Sequence, residues 1–180
     1  MAAGADDQEL RPVHLVRHPL PRPADRAKGA DNVNQVVIGV GNRLRGDDAV
    51  GPVALDRLAG RVDTSVRLIE CTGDVSKLID AWRGADRAVV IDAVVSGSEP
   101  GTLHVVDGRH GVPSRWRAGS THLIGLSEAI ELAWALEVMP QELTIFGVEA
   151  EAVTPGETLS DAVDAAVDNI VERVAELTHA

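Results

Sequence analysis

Cysteine is nearly absent: Cys71 is the only one in 180 residues. That excludes a disulfide within the chain and argues against a zinc centre built on paired thiolates, leaving Cys71 as a small core side chain. Tyrosine is missing, and the aromatics are Trp82, Trp116, Trp134 and Phe146 alone. The core must therefore come from Val, Leu, Ile and Ala, the palette of a parallel sheet covered on both faces. Positive charge is also short, with 17 Lys and Arg against 28 Asp and Glu and a formal net charge of −11. A surface of that sign repels a phosphate backbone, so nucleic acid is not expected as a partner. The longest apolar runs, such as Ala88-Val-Val-Ile91, fall far short of the roughly 20 residues of a membrane span. The N-terminus lacks the apolar core of a secretion signal. A soluble cytoplasmic protein with no membrane partner is the expectation.

Residues 1–34 are rich in Pro, Arg and Asp and show neither helical nor alternating periodicity, which predicts a flexible N-terminal extension. Its five basic and five acidic residues cancel, so the entire negative excess falls on residues 35–180, the expected single folded domain. There, short β-branched runs alternate with helix-length amphipathic segments, the pattern of an α/β fold. The strands expected are Gln35 to Val40, Val66 to Cys71, Arg87 to Asp92, Thr102 to Val106 and Leu143 to Val148. The helices expected are Val50 to Leu58, Val75 to Trp82, His122 to Leu136 and Leu159 to Leu177. Pro52 suits a first turn, Gly60 follows a last one, and Asp74, Ser120 and Ser160 suit N-terminal caps. The link "VVSGSEPG" is too short for a helical crossover, which predicts antiparallel third and fourth strands in a mixed sheet.

Ligands of open α/β sheets bind beyond the carboxyl ends of the strands, where successive connections leave toward opposite faces. Asp47 and Asp48 follow the first strand in "GVGNRLRGDDAVG", and Asp92 ends the third, where the apolar "AVVID" run stops at a charge. If the strand order begins 2-1-3, they share a crevice. Singly, Asp47 or Asp48 could be a helix-capping acid and Asp92 a turn residue. Burying a carboxylate at a strand end is costly without a partner, however, so it faces solvent or meets a cation. His122, in "STHLIGL", lies just inside a helix whose N-terminus favours the neutral, metal-binding imidazole. Two carboxylates and one imidazole suit nickel, zinc, iron or manganese and leave coordination positions open. The competing possibility is a phosphate cradle formed by Gly39, Gly41 and Gly46, with Glu70 as a ribose-binding acid. That spacing misses the dinucleotide fingerprint, and Asp47 and Asp48 would place charge where a pyrophosphate must sit.

Taken together, "GVGNRLRGDDAVGP", the Asp of "VVIDAV", "STHLIGL" and the later "FGVEAEAVTPGETLS" resemble the nickel-iron hydrogenase maturation endopeptidases. The resemblance runs from about Gln35 to about Val174. It implies a three-layer α/β/α sandwich of the phosphorylase/hydrolase-like type, with a five-stranded, mostly parallel sheet in the order 2-1-3-5-4 or a close variant. It implies an endopeptidase that trims the C-terminal extension of a hydrogenase large-subunit precursor. The ion concerned is then the nickel already inserted in that substrate, and the resting enzyme need hold none. By the same resemblance Asp48, Asp92 and His122 are the metal-contacting and catalytic residues. The base that activates water is left open among a carboxylate, His122 and a metal-bound water, with Asp48 placed first. Asn42, Arg43, Arg45 and Asp47 flank Asp48 and are candidates for orienting the loop or binding substrate. The alternative function is a nucleotide- or metal-binding α/β module without proteolysis. The basic segment Asp107 to Gly119, with Arg109, His110, Arg115 and Arg117, is either a substrate lid or a solvated loop.

Overall fold

The computed structural model describes residues 33–114, 116, 121–156 and 158–179, without the side chains of residues 121–124. Five strands form one sheet: β1 (Gln35–Val40), β2 (Arg67–Cys71), β3 (Arg87–Val94), β4 (Leu103–Asp107) and β5 (Glu142–Glu149). Their order is β2-β1-β3-β5-β4. The pairings are parallel except that of β4 with β5, which is antiparallel. The short link 95–102 forces the chain to turn back, so β4 runs against β3. The two are not neighbours, because β5 inserts between them.

Four helices cover the sheet: α1 (Val50–Leu58), α2 (Val75–Trp82), α3 (Thr121–Ala135) and α4 (Asp161–His179). Strand alternation divides the core in two. Val37, Val89, Ile91, Phe146 and Val148 pack under α1 and α4. Val36, Val90, Val94, Leu143 and Ile145 pack under α2 and α3. Asp92 shares the parity of Val90 and Val94, so its side chain emerges on the α2/α3 face. The three-layer expectation holds, with every helix and strand boundary within two residues of the one expected. Asp74 caps α2 by accepting from the Lys77 N–H at 3.1 Å, and Ser160 Oγ lies 3.5 Å from the Val163 N–H at the start of α4. Gly60, at φ 81°, takes the left-handed conformation that ends α1. Ser120 lies outside the described residues, as do His14 and His18 of the N-terminal extension, to which no role is assigned. No described helix is long and apolar enough to cross a membrane.

Candidate active site

The site begins where β1 ends. A β-carbon on Gly51, in the first turn of α1, would lie 2.3 Å from the Val40 carbonyl oxygen and 2.7 Å from that of Ile91. A helix can rest this closely on two strand ends only where it has no side chain. Gly41, at φ 144°, leaves room for the Asp48 carbonyl, which a β-carbon there would meet at 1.8 Å. The Asn42 N–H donates to that same carbonyl at 3.1 Å, and the Gly41 N–H donates to the Cys71 carbonyl at 3.0 Å. The glycines that suggested a phosphate cradle are thus points of backbone contact, and the Asp48 carbonyl fills the loop from within.

The two adjacent carboxylates part company in the 3-10 turn Gly46–Ala49. Asp47 is buried at 1% exposure and turns into the protein. Its Oδ2 accepts from the Glu151 N–H at 2.8 Å, the Ala152 N–H at 3.1 Å and the Ser160 hydroxyl at 3.1 Å. Its Oδ1 accepts from the Ser160 N–H at 2.7 Å. Asp47 therefore ties the loop after β5 and the start of α4 to the turn that carries Asp48. Asp48 is 5% exposed and Asp92 is fully buried. The turn touches β3, so Asp48 and Asp92 lie at the carboxyl ends of neighbouring strands, at the switch point between β1 and β3. Neither carboxylate is without an interaction partner. The third expected member, His122, is the second residue of α3, and its side chain lies outside the described residues. Among the described residues no three His, Cys, Asp or Glu side chains could hold an ion by themselves.

The other flanking residues divide in the same way. Arg43 is held by Asp56, at 2.6 and 3.0 Å, and by Glu70 at 2.9 Å. These two carboxylates raise the guanidinium pKa above its ordinary value, mainly through the Asp56 hydrogen bond. Glu70 is thereby engaged by an arginine. Asn42 is exposed and its Oδ1 accepts from the Leu44 N–H at 3.0 Å, which shapes the turn. Arg45 is half-buried. Burial pushes the Cys71 thiol pKa up, as suits a core side chain.

Two features escaped sequence reasoning. Glu149 ends β5, an acid after an apolar run as Asp92 is near the end of β3, and the same cue could have marked it. It is 2% exposed, and its carboxylate accepts from the N–H groups of Ser96 at 2.7 Å, Gly97 at 2.8 Å and Ser98 at 3.2 Å. The Ser96 hydroxyl adds a bond at 2.7 Å, and His104 Nε2 lies 3.4 Å away. Burial alone would raise the Glu149 pKa; the hydrogen bonds from Ser96 and Gly97, with His104, outweigh it and hold the carboxyl below its ordinary value. The second is the anchoring of the basic segment after β4, which the sequence left as a substrate lid or a solvated loop. Arg109 donates to the Gln141 carbonyl at 2.7 Å and lies over the Trp134 ring at 5.3 Å. Val112 and Trp116 are buried in the core. This part of the segment is anchored, while Arg115 and Arg117 lie outside the described residues.

A family model for hydrogenase maturation proteases matches residues 55–177. The chain belongs to the hydrogenase maturation protease family. The match includes Asp92 and His122 and begins shortly after Asp48. Among relatives, the chain is 29% identical to the hydrogenase expression/formation protein HoxM of Cupriavidus necator, over 79% of this chain and 72% of that one. It is 27% identical to the hydrogenase 2 maturation protease of Escherichia coli, over 77% and 87% of the two chains. The fold agrees with solved structures. The hydrogenase maturating endopeptidase HybD from E. coli superposes with a TM-score of 0.71 at 27% identity, covering 78% of this chain and 89% of its own. The [NiFe] hydrogenase maturation protease HybD from Thermococcus kodakarensis gives 0.68 at 28% identity, covering 81% and 99%. The protease is thus a peptidase of hydrogenase maturation, and a module without proteolytic activity is not favoured.

Proposed function

We propose that this protease removes the C-terminal extension from the nickel-loaded large-subunit precursor of a [NiFe] hydrogenase, acting in the cytoplasm. The observation that carries the reading is the seating of the Asp48 turn on β3, which sets two buried carboxylates at adjoining strand ends. In this reading Asp48, Asp92 and His122 contact the substrate's nickel and so place the scissile peptide beside the cleft. The donor set suits a first-row divalent ion and leaves positions for the substrate's own ligands. Asp48 takes a proton from the attacking water as its oxygen adds to the scissile carbonyl carbon. The proton passes to the leaving nitrogen as the C–N bond breaks. Asn42 and Arg45 face the substrate, whereas Arg43 and Asp47, already engaged within the fold, shape the loop. The endopeptidase domain comprises residues 35–180.

Nickel-loaded and nickel-free precursors incubated with the protease, with the released peptide followed by mass spectrometry, provide the test. Release from the loaded precursor alone is expected. Failure to release from either, across several hydrogenases, sinks the substrate assignment. Alanine at Asp48, Asp92 or His122 should lower the rate by about a hundredfold or more, the scale of a lost catalytic group. Wild-type cleavage by all three variants would show that the site lies elsewhere.

A further inference from the structure

We propose that Trp116 is a positioning residue, which sets the start of α3 and with it His122 against Asp92; this rests on the site reading above. Trp116 lies between two arginines in a polar segment, five residues before Thr121 begins α3. It is nevertheless fully buried. Its ring atoms Cη2 and Cζ3 come within 2.9 and 3.2 Å of the point where a β-carbon on Gly147 would sit. Gly147 is the register partner of Asp92 on one side and of His104 on the other. The His104 ring packs on the indole at 5.5 Å between centroids. The indole thus lies on the sheet in the same cross-strand row as Asp92, in the space that a side chain at position 147 would take.

Its polar atom does not explain the choice of residue. Trp116 Nε1 is buried with no hydrogen-bond partner among the described residues, so size and shape are what the site uses. A second close contact lies on the far side of His122. A β-carbon on Gly125, one turn into α3, would meet the Gly73 carbonyl at 2.2 Å. Gly73 follows Cys71, whose carbonyl receives the Gly41 N–H. His122 therefore stands in sequence between two tight contacts, one on β5 beside Asp92 and one on the loop that abuts the Asp48 turn.

Single-turnover cleavage of nickel-loaded precursor is measured for Trp116→Leu and Trp116→Phe, beside the melting temperature and the His122 ring signals in a ¹H–¹⁵N spectrum. Trp116→Leu should cleave about tenfold or more slowly, because small displacements of a reacting group are costly. It should do so while folded, and the His122 ring signals should move. Trp116→Phe keeps a flat ring in the same place but is smaller by three heavy atoms, the N–H among them, and should slow cleavage less than Trp116→Leu, staying within about threefold of wild type. Gly147→Ala should reproduce the slow phenotype from the strand side. Adding Val94→Ala and Trp116→Phe to it makes room at the two contacts and should restore the rate. If Trp116→Leu does not fold, this rescue decides the matter. A folded Trp116→Leu variant with wild-type rate overturns the inference, as does a failed rescue or a loss of rate matching the unfolded fraction with His122 unmoved. A His122→Ala variant of undiminished rate overturns instead the site reading on which the inference rests.

Discussion

Three acids that look alike in the sequence do different work. Asp47, Asp92 and Glu149 are all buried, but Asp47 and Glu149 spend their oxygens on backbone N–H groups and hydroxyls of the fold. Asn at position 47 would turn an amide N–H toward the donors that now bond the carboxylate. Asp47→Asn should cost about 3 kcal/mol, or roughly 6–12 °C in melting temperature, measured by thermal unfolding. Glu149 predicts a pH dependence. Its folded pKa is depressed below the ordinary 4.5, so its contribution is present above the unfolded pKa and is lost as pH falls through the folded value. Denaturant unfolding at pH 7 should therefore find Glu149→Gln about 1–3 kcal/mol less stable than wild type. The gap should narrow as the pH drops below 4.5. A gap constant with pH would show that shape and not charge holds the 95–102 link. By contrast, Arg43 with its two carboxylates is an exposed network, worth little in stability.

Among the elements, α1 and α3 are the ones whose placement bears on the proposed site, and both are seated through glycine. Gly51 gives α1 contact with two strand carbonyls that cannot move aside. Gly51→Ala should cost more than about 3 kcal/mol and lift the Asp48 turn from β3, so cleavage falls with stability. Gly60 is the control. It has open space around its missing β-carbon but sits at φ 81°, so Gly60→Ala should cost only about 1 kcal/mol of left-handed strain and leave the rate of the folded enzyme unchanged. Melting curves and cleavage rates on both variants separate seating from strain. The helices themselves were legible from apolar periodicity and caps, because those are local properties of the chain. Their seating was not, since the close contact of Gly51 with Ile91 or of Gly125 with Gly73 joins residues far apart in sequence.

At the scale of the whole molecule, the strand order places the chemistry. β1 and β3 are neighbours, and connections leaving toward opposite faces open a crevice between them. The acidic excess belongs entirely to residues 35–180, and the described structure of strands and helices begins at Gln35. Removing residues 1–32, which keeps Asn34 and its hydrogen bonds to Asp86 and Gly84, should leave the melting temperature within about 2 °C and the cleavage rate unchanged, as expected for a terminal extension of that composition. Loss of processing in the truncated protein would assign that extension a part in catalysis or substrate binding.

The sequence by itself determined the elements, the mixed sheet and the candidates Asp48, Asp92 and His122. Periodicity, caps, short links and a charge that ends an apolar strand are all written in consecutive residues. Only the tertiary structure decided that Asp47 bonds to the loop after β5 and the start of α4, while the turn carrying Asp48 seats against β3. It also decided that Glu149 pins a distant link and that a lone tryptophan in a basic segment lies on the row of Asp92. Each of these depends on partners about thirty to a hundred residues away. A carboxylate's role follows from which donors surround it, and those donors become neighbours only when the chain has closed its sheet.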